Sequence, residues 1–219
     1  MKNTRVPDGK VATTTAAALV LKDVDDLQAA QAEIEKLLEK CARHAEEEIN
    51  RKRLGGRKPR RDECDQKIGR TPKGEPITQA MRWGLEKHKE ARECADKALN
   101  QLLPRHFSLE QRYRFDPVTG RKSLVSKEAR EELMRQGREK ELEGTLEPDV
   151  VIHSGDPLHA WAIYDFKFPC PETNLPTWST YPKGHPYQGR TQGEMYRRVL
   201  GQSPSRITPL DGVIPEPVW

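Results

Sequence analysis

The stretch EPDVVIHSGDPLHAWAIYDFKF, residues 147–168, decides the fold, because it concentrates apolar side chains in a chain that is polar elsewhere. Its first apolar run is VVI at 150–152. Pro148 stands at the entrance of that run, where a proline is tolerated because it has no N–H to donate to a ladder. The segment SGDP at 154–157 is typical of a turn. Residues 149–153 and 160–168 are therefore predicted to form two neighbouring strands.

The second of these strands carries two charged side chains among apolar ones. Alternation along a strand predicts two faces, with Trp161, Ile163, Asp165 and Lys167 on one and Ala162, Tyr164, Phe166 and Phe168 on the other. Burying a charge without a partner is costly, so Asp165 and Lys167 require either each other or a metal ion. An ordinary ion pair on a solvent-facing strand is the alternative, and Trp161 and Ile163 on the same face argue against it.

The composition predicts a small core. Only 34% of the 219 residues are hydrophobic and 33% are charged, so compact structure is expected mainly from Ile77 onward. The net charge of +4 permits contact with a polyanion but does not establish one. No apolar run is long enough for a membrane span, and the N terminus lacks the apolar segment of a signal peptide. No membrane contact is expected.

Three regions differ in composition. Residues 1–22 mix Thr, Ala and Lys without a helical stripe and are predicted to be a linker or a disordered leader. Residues 23–66 combine an amphipathic helix over 25–50 with a basic segment at 51–65, where Gly and Pro are expected to prevent regular structure. That segment fits either a solvated loop or a flexible arm over phosphates, and both stay open. Residues 67–219 are predicted to be one domain.

The clearest helical pattern spans residues 77–102. Thr78 is a capping residue and Pro104 ends the helix. The predicted inner face recurs at helical spacing and comprises Ile77, Met81, Gly84, Leu85, His88, Ala91, Ala95, Ala98 and Leu102.

A hairpin and a surface helix are predicted next. The segment DPVTG at 116–120 is a turn between alternating segments, and the charged residues 126–143, capped by Ser126, leave little to bury. With the strands of 147–168, these elements predict an α/β (α+β) fold. A small central mixed β-sheet is expected between helices, preceded by a helical N-terminal extension.

Asp149 and Asp165 are the candidate metal ligands. They lie on adjacent predicted strands, and two carboxylates suit a hard divalent cation such as Mg²⁺ or Mn²⁺, which takes oxygen ligands and keeps several waters. Such a cation polarises a phosphoryl oxygen and supplies a nucleophile near neutral pH. Lys167 is placed to orient the attacking water or to offset charge on phosphorus. These residues predict metal-assisted hydrolysis of a phosphodiester.

Pro148-Asp149 followed by Asp165-Phe166-Lys167 resembles the PD-(D/E)xK signature of restriction-endonuclease-like nucleases. Downstream, QGEMYRRVL at 192–200 is predicted to be a helix with a glutamine and a tyrosine one turn apart. It is similar to the Gln-containing helix of the VRR-NUC branch and of related bacterial toxin nucleases. The resemblance covers residues 77–205. It implies a restriction-endonuclease-like core and a Mg-dependent deoxyribonuclease that acts on DNA.

The same resemblance implies further site residues. Gln192 joins Asp149, Asp165 and Lys167 as catalytic. In those families a glutamate on the helix before the first core strand often completes the metal site. Glu86 is the candidate by position, and the alternatives are Glu90 and Glu93. The expected nucleic-acid contacts are Lys183, Arg190, Tyr196 and Arg197.

The loop PCPETNLPTWSTYPKGHPYQGR, residues 169–190, is long and rich in proline and aromatic residues. Long loops are often functional, so its rings could stack on bases while Lys183 and Arg190 reach the backbone. A rigid loop that packs its own aromatic rings is the other interpretation, and both stay open.

The remaining candidates point to no separate site. The four cysteines (Cys41, Cys64, Cys94 and Cys170) are widely separated, and free thiols in a reducing compartment are expected. Cys41, His44 and Cys64 are zinc-ligand types, but no pair completes a four-ligand set. His153 follows the first motif strand, where it could contact phosphate, but a surface histidine at the end of a strand is expected.

The polar helical leader and the compact nuclease region resemble the toxin domains of polymorphic or type VI secretion effectors. That resemblance implies a secreted domain that acts in the cytoplasm of a target bacterium, and a cognate immunity protein that blocks the active site. Two alternatives stay open. One is a cytoplasmic housekeeping or phage nuclease of the same fold, and the other is a nucleic-acid-binding or protein-binding module whose motif is accidental.

Overall fold

The computed structural model describes residues 24–72 and 74–216, so the leader predicted at 1–22 lies outside the described residues. The helices are α1 (Val24–Leu54), α2 (Arg61–Cys64), α3 (Gln79–Leu102), α4 (Lys127–Arg135) and α5 (Gln192–Leu200). Among the described residues, no helix is both long and apolar enough to cross a membrane.

The strands form one central sheet and two smaller ones. They are β1 (Lys67–Arg70), β2 (Pro76–Thr78), β3 (Phe107–Leu109), β4 (Arg112–Phe115), β5 (Lys122–Val125), β6 (Thr145–Leu146), β7 (Val150–His153), β8 (Ala160–Phe166), β9 (Ser205–Thr208) and β10 (Gly212–Pro215). The central sheet has the order β10-β9-β8-β7-β3, in which β8 and β9 are parallel and the other neighbours are antiparallel. The predicted mixture of helices with a mixed sheet is confirmed.

Both faces of the central sheet are covered. On one face α1 and α3 pack against Val150, Ile152, Tyr164 and Phe166. On the other face α5 packs against Val151 and Ile163. The two strands of residues 147–168 are therefore buried on both sides, which explains their nearly continuous apolar runs.

The predicted helix over residues 25–50 is confirmed as α1, which continues to Leu54. Its buried residues recur at three- and four-residue steps; they include Ala30, Ile34, Leu38, Ala42 and Ala45. They share one core with α3 and the sheet, so α1 packs as part of the same core as the residues from 67 onward. The expectation that residues 51–65 lack regular structure is wrong in part. The end of α1 and all of α2 lie there, separated by a turn at Gly55 and Gly56 with positive φ.

The inner face of α3 differs from the predicted one. The Thr78 side chain caps the helix as expected, and Ala91, Ala95 and Leu102 are buried. Met81 and Leu85, however, are 53% and 74% exposed. Their place is taken by Trp83 and by Lys87, whose ammonium pairs with Glu46 of α1 at 2.7 Å. A buried charge that is paired can occupy a core position. The spacing of apolar residues alone therefore did not identify Lys87 as part of the inner face.

Strand β8 contains a bulge that changes the predicted faces. In the register with β7, Ile152 pairs with Ala162, whereas His153 pairs with Ala160. The extra residue on β8 is Trp161, which packs with the α1–α3 core, while Ile163 packs with the α5 core. The expectation that Trp161 and Ile163 share a face is therefore wrong, because a bulge interrupts alternation.

The predicted hairpin around residues 116–120 is confirmed by the antiparallel pair β4–β5. The following helix is shorter than expected. It follows the Ser126 cap, has no buried residue and ends at Arg135, two residues before Gly137, which has φ of +67°. A glycine in the left-handed region is a common helix end. A short 3-10 helix, Glu139–Leu142, then covers the rest of the predicted span.

The expectation of free thiols is wrong. Cys41 of α1 is bonded to Cys94 of α3, and Cys64 of α2 is bonded to Cys170, which follows β8. The partners are separated by 53 and 106 residues along the sequence, so only the tertiary fold shows the pairing. Both thiols of the suggested zinc set are used in these bonds. Disulfides of this kind form in oxidising compartments.

Each disulfide closes a long loop, so each is expected to stabilise the fold. The double variants Cys41→Ser/Cys94→Ser and Cys64→Ser/Cys170→Ser should each lose about 2–4 kcal/mol of unfolding free energy. Urea denaturation of the two variants and of the wild type measures the loss. The wild type in excess dithiothreitol should unfold at lower urea. An unchanged midpoint under reduction would show that the four thiols contribute no cross-link.

Candidate functional site

The candidate site is built around Asp149 and Asp165. Val150 of β7 pairs with Tyr164 of β8 in antiparallel register. Asp149 precedes Val150 and Asp165 follows Tyr164, so the two aspartates lie opposite one another. Both are buried, with exposed fractions of 6% and 3%. The amide N–H of Phe166 donates to Asp149 Oδ2 at 2.8 Å and ties the first aspartate to the strand of the second.

Asp149 is surrounded by hydrogen-bond donors. Besides Phe166, His88 Nδ1 lies 3.1 Å from Oδ2, and Arg92 Nη1 donates to Oδ1 at 3.2 Å. Burial acts to raise the pKa of Asp149, but the bond to His88, the charges of His88 and Arg92 and the amide of Phe166 together lower it below its usual value. Asp149 is therefore held as a carboxylate.

Asp165 has a different environment. Its Oδ2 contacts the ammonium of Lys167, and its Oδ1 lies 3.1 Å from the hydroxyl of Tyr196. Burial raises the pKa of Asp165; the charge of Lys167 offsets this only in part, and the negative charge of Asp149 adds to it. The paired carboxylates thus differ in proton affinity, an arrangement typical of functional sites.

Gln192, the first residue of α5, binds the ammonium of Lys167. Lys167 Nζ donates to Gln192 Oε1 at 2.9 Å, and Gln192 Nε2 donates to the Tyr196 hydroxyl at 2.7 Å. Thr191 caps the helix, so Gln192 is its first residue and Tyr196 follows one turn later. The predicted pairing of a glutamine and a tyrosine on this helix is confirmed.

Trp178 closes this side of the site. Its ring centre lies 4.9 Å from Lys167 Nζ and its face lies against Gly193. A Cβ at position 193 would approach the ring to 2.7 Å, so only glycine fits there. The indole and the helix therefore restrict where the lysine ammonium can lie.

The structure brings together Asp149, Asp165, Lys167 and Gln192 but does not bring Glu86 to them. Glu86 binds the Arg53 guanidinium at 2.8 Å. The alternatives also lie elsewhere: Glu90 contacts His44 and Lys52 of α1, and Glu93 is more than half exposed beside Lys89. The reason is rotational, because Glu86 lies two residues before His88, roughly 200° around the helix.

His88 and Arg92 occupy the helix face where a glutamate was expected, and the sequence interpretation missed both roles. They lie one turn apart on α3 and contact the same carboxylate. The signal was present in their four-residue spacing. It was obscured because His88 was assigned to an apolar inner face.

The expected nucleic-acid contacts have different surroundings. Tyr196 is fully buried, so the assignment of that side chain to a nucleic-acid surface is wrong; its hydroxyl supports Asp165 from within the protein. Arg197 is half-buried on α5. Lys183 and Arg190 are exposed on the loop of residues 169–190.

That loop packs its own aromatic rings. Tyr181 stacks on His185 with centroids 4.4 Å apart, and Tyr187 contacts both rings. Burial raises the pKa of Tyr181 to about 12, so its hydroxyl stays protonated. These contacts favour the interpretation of a rigid loop over that of rings free to stack on bases.

His153 is buried, so its predicted surface position is wrong. The Gly155 N–H donates to His153 Nδ1 at 3.0 Å, which leaves the ring proton on Nε2, 2.9 Å from Ser108 Oγ. In that tautomer the ring donates to the serine and cannot remove its proton. The pair is therefore structural and does not resemble an activated nucleophile.

The carboxylate pair supplies the oxygen donors that a hard divalent cation takes. Two adjacent buried carboxylates are suitable for Mg²⁺ or Mn²⁺, which often bind one or two carboxylates and complete the shell with waters and substrate phosphate. Among the described residues, no group of three or more His, Cys, Asp or Glu side chains is arranged to hold a metal ion. The pair fits a cation shared with water and substrate rather than an all-protein cage.

Comparisons of the chain with protein families, with curated proteins and with solved structures find no match. The resemblance to PD-(D/E)xK nucleases is therefore carried by the motif residues and their placement alone.

The raised pKa of Asp165 predicts how stability depends on pH. The folded state binds this proton more tightly than the unfolded state, so stability rises as pH falls through the folded pKa. At neutral pH the ionised carboxylate costs stability, and Asp165→Asn should raise Tm, by roughly 2–4 °C per kcal/mol relieved. The difference should shrink in acid, where the wild type is protonated. Calorimetry across pH measures both; a lower Tm for the variant at neutral pH would contradict the assignment.

Proposed function

We propose that this protein is a metal-dependent nuclease with a restriction-endonuclease-like core that hydrolyses phosphodiester bonds of DNA. One observation carries the proposal. Asp149, which directly precedes β7, and Asp165 of β8 are buried opposite one another, beside a lysine ammonium that is fixed by Gln192. Two carboxylates next to a cationic donor match the needs of metal-assisted phosphodiester hydrolysis.

The side chains have distinct roles in this proposal. Asp149 and Asp165 would hold Mg²⁺ or Mn²⁺, which when bound polarises a phosphoryl oxygen and lowers the pKa of a water. Lys167 supplies N–H donors for the attacking water or for the charge that develops on the phosphate. Gln192 and Trp178 restrict the ammonium, and Tyr196 holds the second carboxylate. Preorganisation of this kind lowers the cost of reaching the transition state.

The fold supports the proposal at a coarser level. The two motif strands are central in a mixed sheet, α3 precedes them and α5 follows them. That order agrees with the helix, strand pair and Gln-containing helix on which the resemblance rests. The core on each face fixes one of the two helices relative to the carboxylates.

Plasmid cleavage tests the proposal. The wild type should nick or linearise plasmid DNA with Mg²⁺ and not with EDTA. Asp165→Asn and Lys167→Met should each lower the rate by about 100-fold or more, because each removes a group that acts on the reacting phosphate. Asp156→Asn makes the same chemical change as Asp165→Asn, in the exposed turn between β7 and β8. It should cleave like the wild type.

The outcomes separate the alternatives. Lys167→Met should keep DNA and metal binding while it loses cleavage. Equal cleavage by wild type and Asp165→Asn, or no metal-dependent cleavage by pure wild type, would leave a nucleic-acid-binding or protein-binding module as the better description.

We also propose that the nuclease is the toxin domain of a secreted antibacterial effector, with an immunity protein as its inhibitor. The two disulfides support this role over that of a resident cytoplasmic enzyme, because such bonds form outside reducing compartments. Destruction of target-cell DNA is the activity that such a domain would deliver.

Induced expression in the cytoplasm of a laboratory bacterium tests the role. The wild type and Asp156→Asn should arrest growth and degrade chromosomal DNA, and Asp165→Asn at equal expression should do neither. Growth rate and DNA integrity are the measurements. Normal growth with wild-type protein that, after purification, cleaves DNA in excess dithiothreitol would favour a housekeeping or phage nuclease, because the reduced cytoplasmic form is then active.

A further inference from the structure

Arg92 has more hydrogen-bonding capacity than its contacts use. Its Nη1 donates to Asp149 at 3.2 Å, and its Nη2 pairs with Glu110 at 3.1 Å. A guanidinium has five N–H donors. Asp149 also receives donors from Phe166 and His88, so the arginine is the third cationic or N–H group on one carboxylate.

Glu110 gives Arg92 a second anchor that does not depend on the carboxylate pair. It lies in the turn between β3 and β4, and its amide N–H donates to the backbone carbonyl of Asp149 at 3.2 Å. Its side chain is 41% exposed, whereas that of Arg92 is 22% exposed. The arginine therefore spans from a buried acid to the protein surface.

A groove begins at this anchor. It has a volume of about 650 Å³ and is lined by Glu110, Lys127, Arg130, Glu131, Met134 and Arg135. Arg130 also contacts Glu147, two residues before Asp149, so the groove runs beside the site. It carries three basic and two acidic side chains, and one of the acids, Glu110, is the residue that pairs with Arg92.

A cation and Arg92 would compete for the same carboxylate. Any positive charge held by Asp149 is repelled by a guanidinium that contacts Oδ1 of that residue. The arginine keeps its Glu110 anchor in either case, because that contact does not involve the aspartates. It then has free N–H donors beside the site, and a guanidinium binds phosphate with two parallel hydrogen bonds.

We infer that Arg92 is a substrate-binding residue that contacts the phosphate backbone of the nucleic acid next to the cleaved bond, between Asp149 and the groove that Glu110 lines. The inference rests on the proposed function. In this proposal Arg92 strengthens DNA binding and weakens metal binding.

The test uses Lys167→Met as a background that binds without cleaving. In this background, Arg92→Gln should weaken binding of a short DNA duplex in Mg²⁺ by about ten-fold, the loss of one strong charge-assisted contact. It should also lower the salt dependence of log Kd by about one unit. The same variant should bind Mn²⁺ several-fold more tightly in calorimetric titration without DNA, because a competing charge is gone.

Two further variants make the result specific. Arg92→Lys keeps the charge and should retain part of the DNA affinity and the weaker Mn²⁺ binding. Arg43→Gln removes a guanidinium of α1 that pairs with Glu39, outside the basic segment of residues 51–65, and should change neither. Circular dichroism confirms folding of each variant.

Unchanged DNA affinity and salt dependence in Arg92→Gln would overturn the inference. So would loss of both DNA and Mn²⁺ binding without recovery in Arg92→Lys, since that pattern belongs to an arginine that only stabilises Asp149. Failure of the proposed function is seen separately, as absence of metal-dependent cleavage by the protein with Lys167 intact.

Discussion

The burial of two aspartates at opposed positions of neighbouring strands is the constraint on which the rest of the structure depends. Removing carboxylates from water is costly, and their mutual repulsion adds to that cost. The compensation comes from three elements. His88 and Arg92 of α3 and the Phe166 amide of β8 donate to Asp149. Lys167, directly after β8, and Tyr196 of α5 contact Asp165. The helices on the two faces of the sheet are thereby tied to the same pair.

The two acids are not treated alike, and the difference favours a functional interpretation. Donors lower the pKa of Asp149, whereas burial raises that of Asp165. Well-packed apolar residues in place of such a buried charged pair often give equal or greater stability. This site keeps Asp149 ionised and makes Asp165 costly to ionise. Stability alone does not require such a pair, so the arrangement favours a catalytic or binding role.

Much of the fold was predictable because its signals are local. A short apolar run identified β7 and alternation identified β8, capping residues marked the starts of α3 and α4, and helical spacing found α1 and α5. Most of the wrong predictions concern information that is not local. The cysteine pairs depend on how α1 and the loop at Cys170 pack, and Trp161 changed faces through a bulge that alternation does not show. In the site, Asp149, Asp165 and Lys167 lie together as predicted, but the predicted glutamate of α3, Glu86, does not reach them.

That last error has a physical cause in α3. Lys87 is 1% exposed, and its ammonium pairs with Glu46, which also accepts a hydrogen bond from Asn50 at 2.8 Å. Apolar packing would tolerate several rotations of a helix rich in alanine, whereas a buried ion pair satisfies its charges in only one. With Lys87 fixed toward α1, His88 and Arg92 point toward Asp149, and Glu86 points toward Arg53. The polar contact between the two helices thus decides which α3 side chains reach the carboxylates.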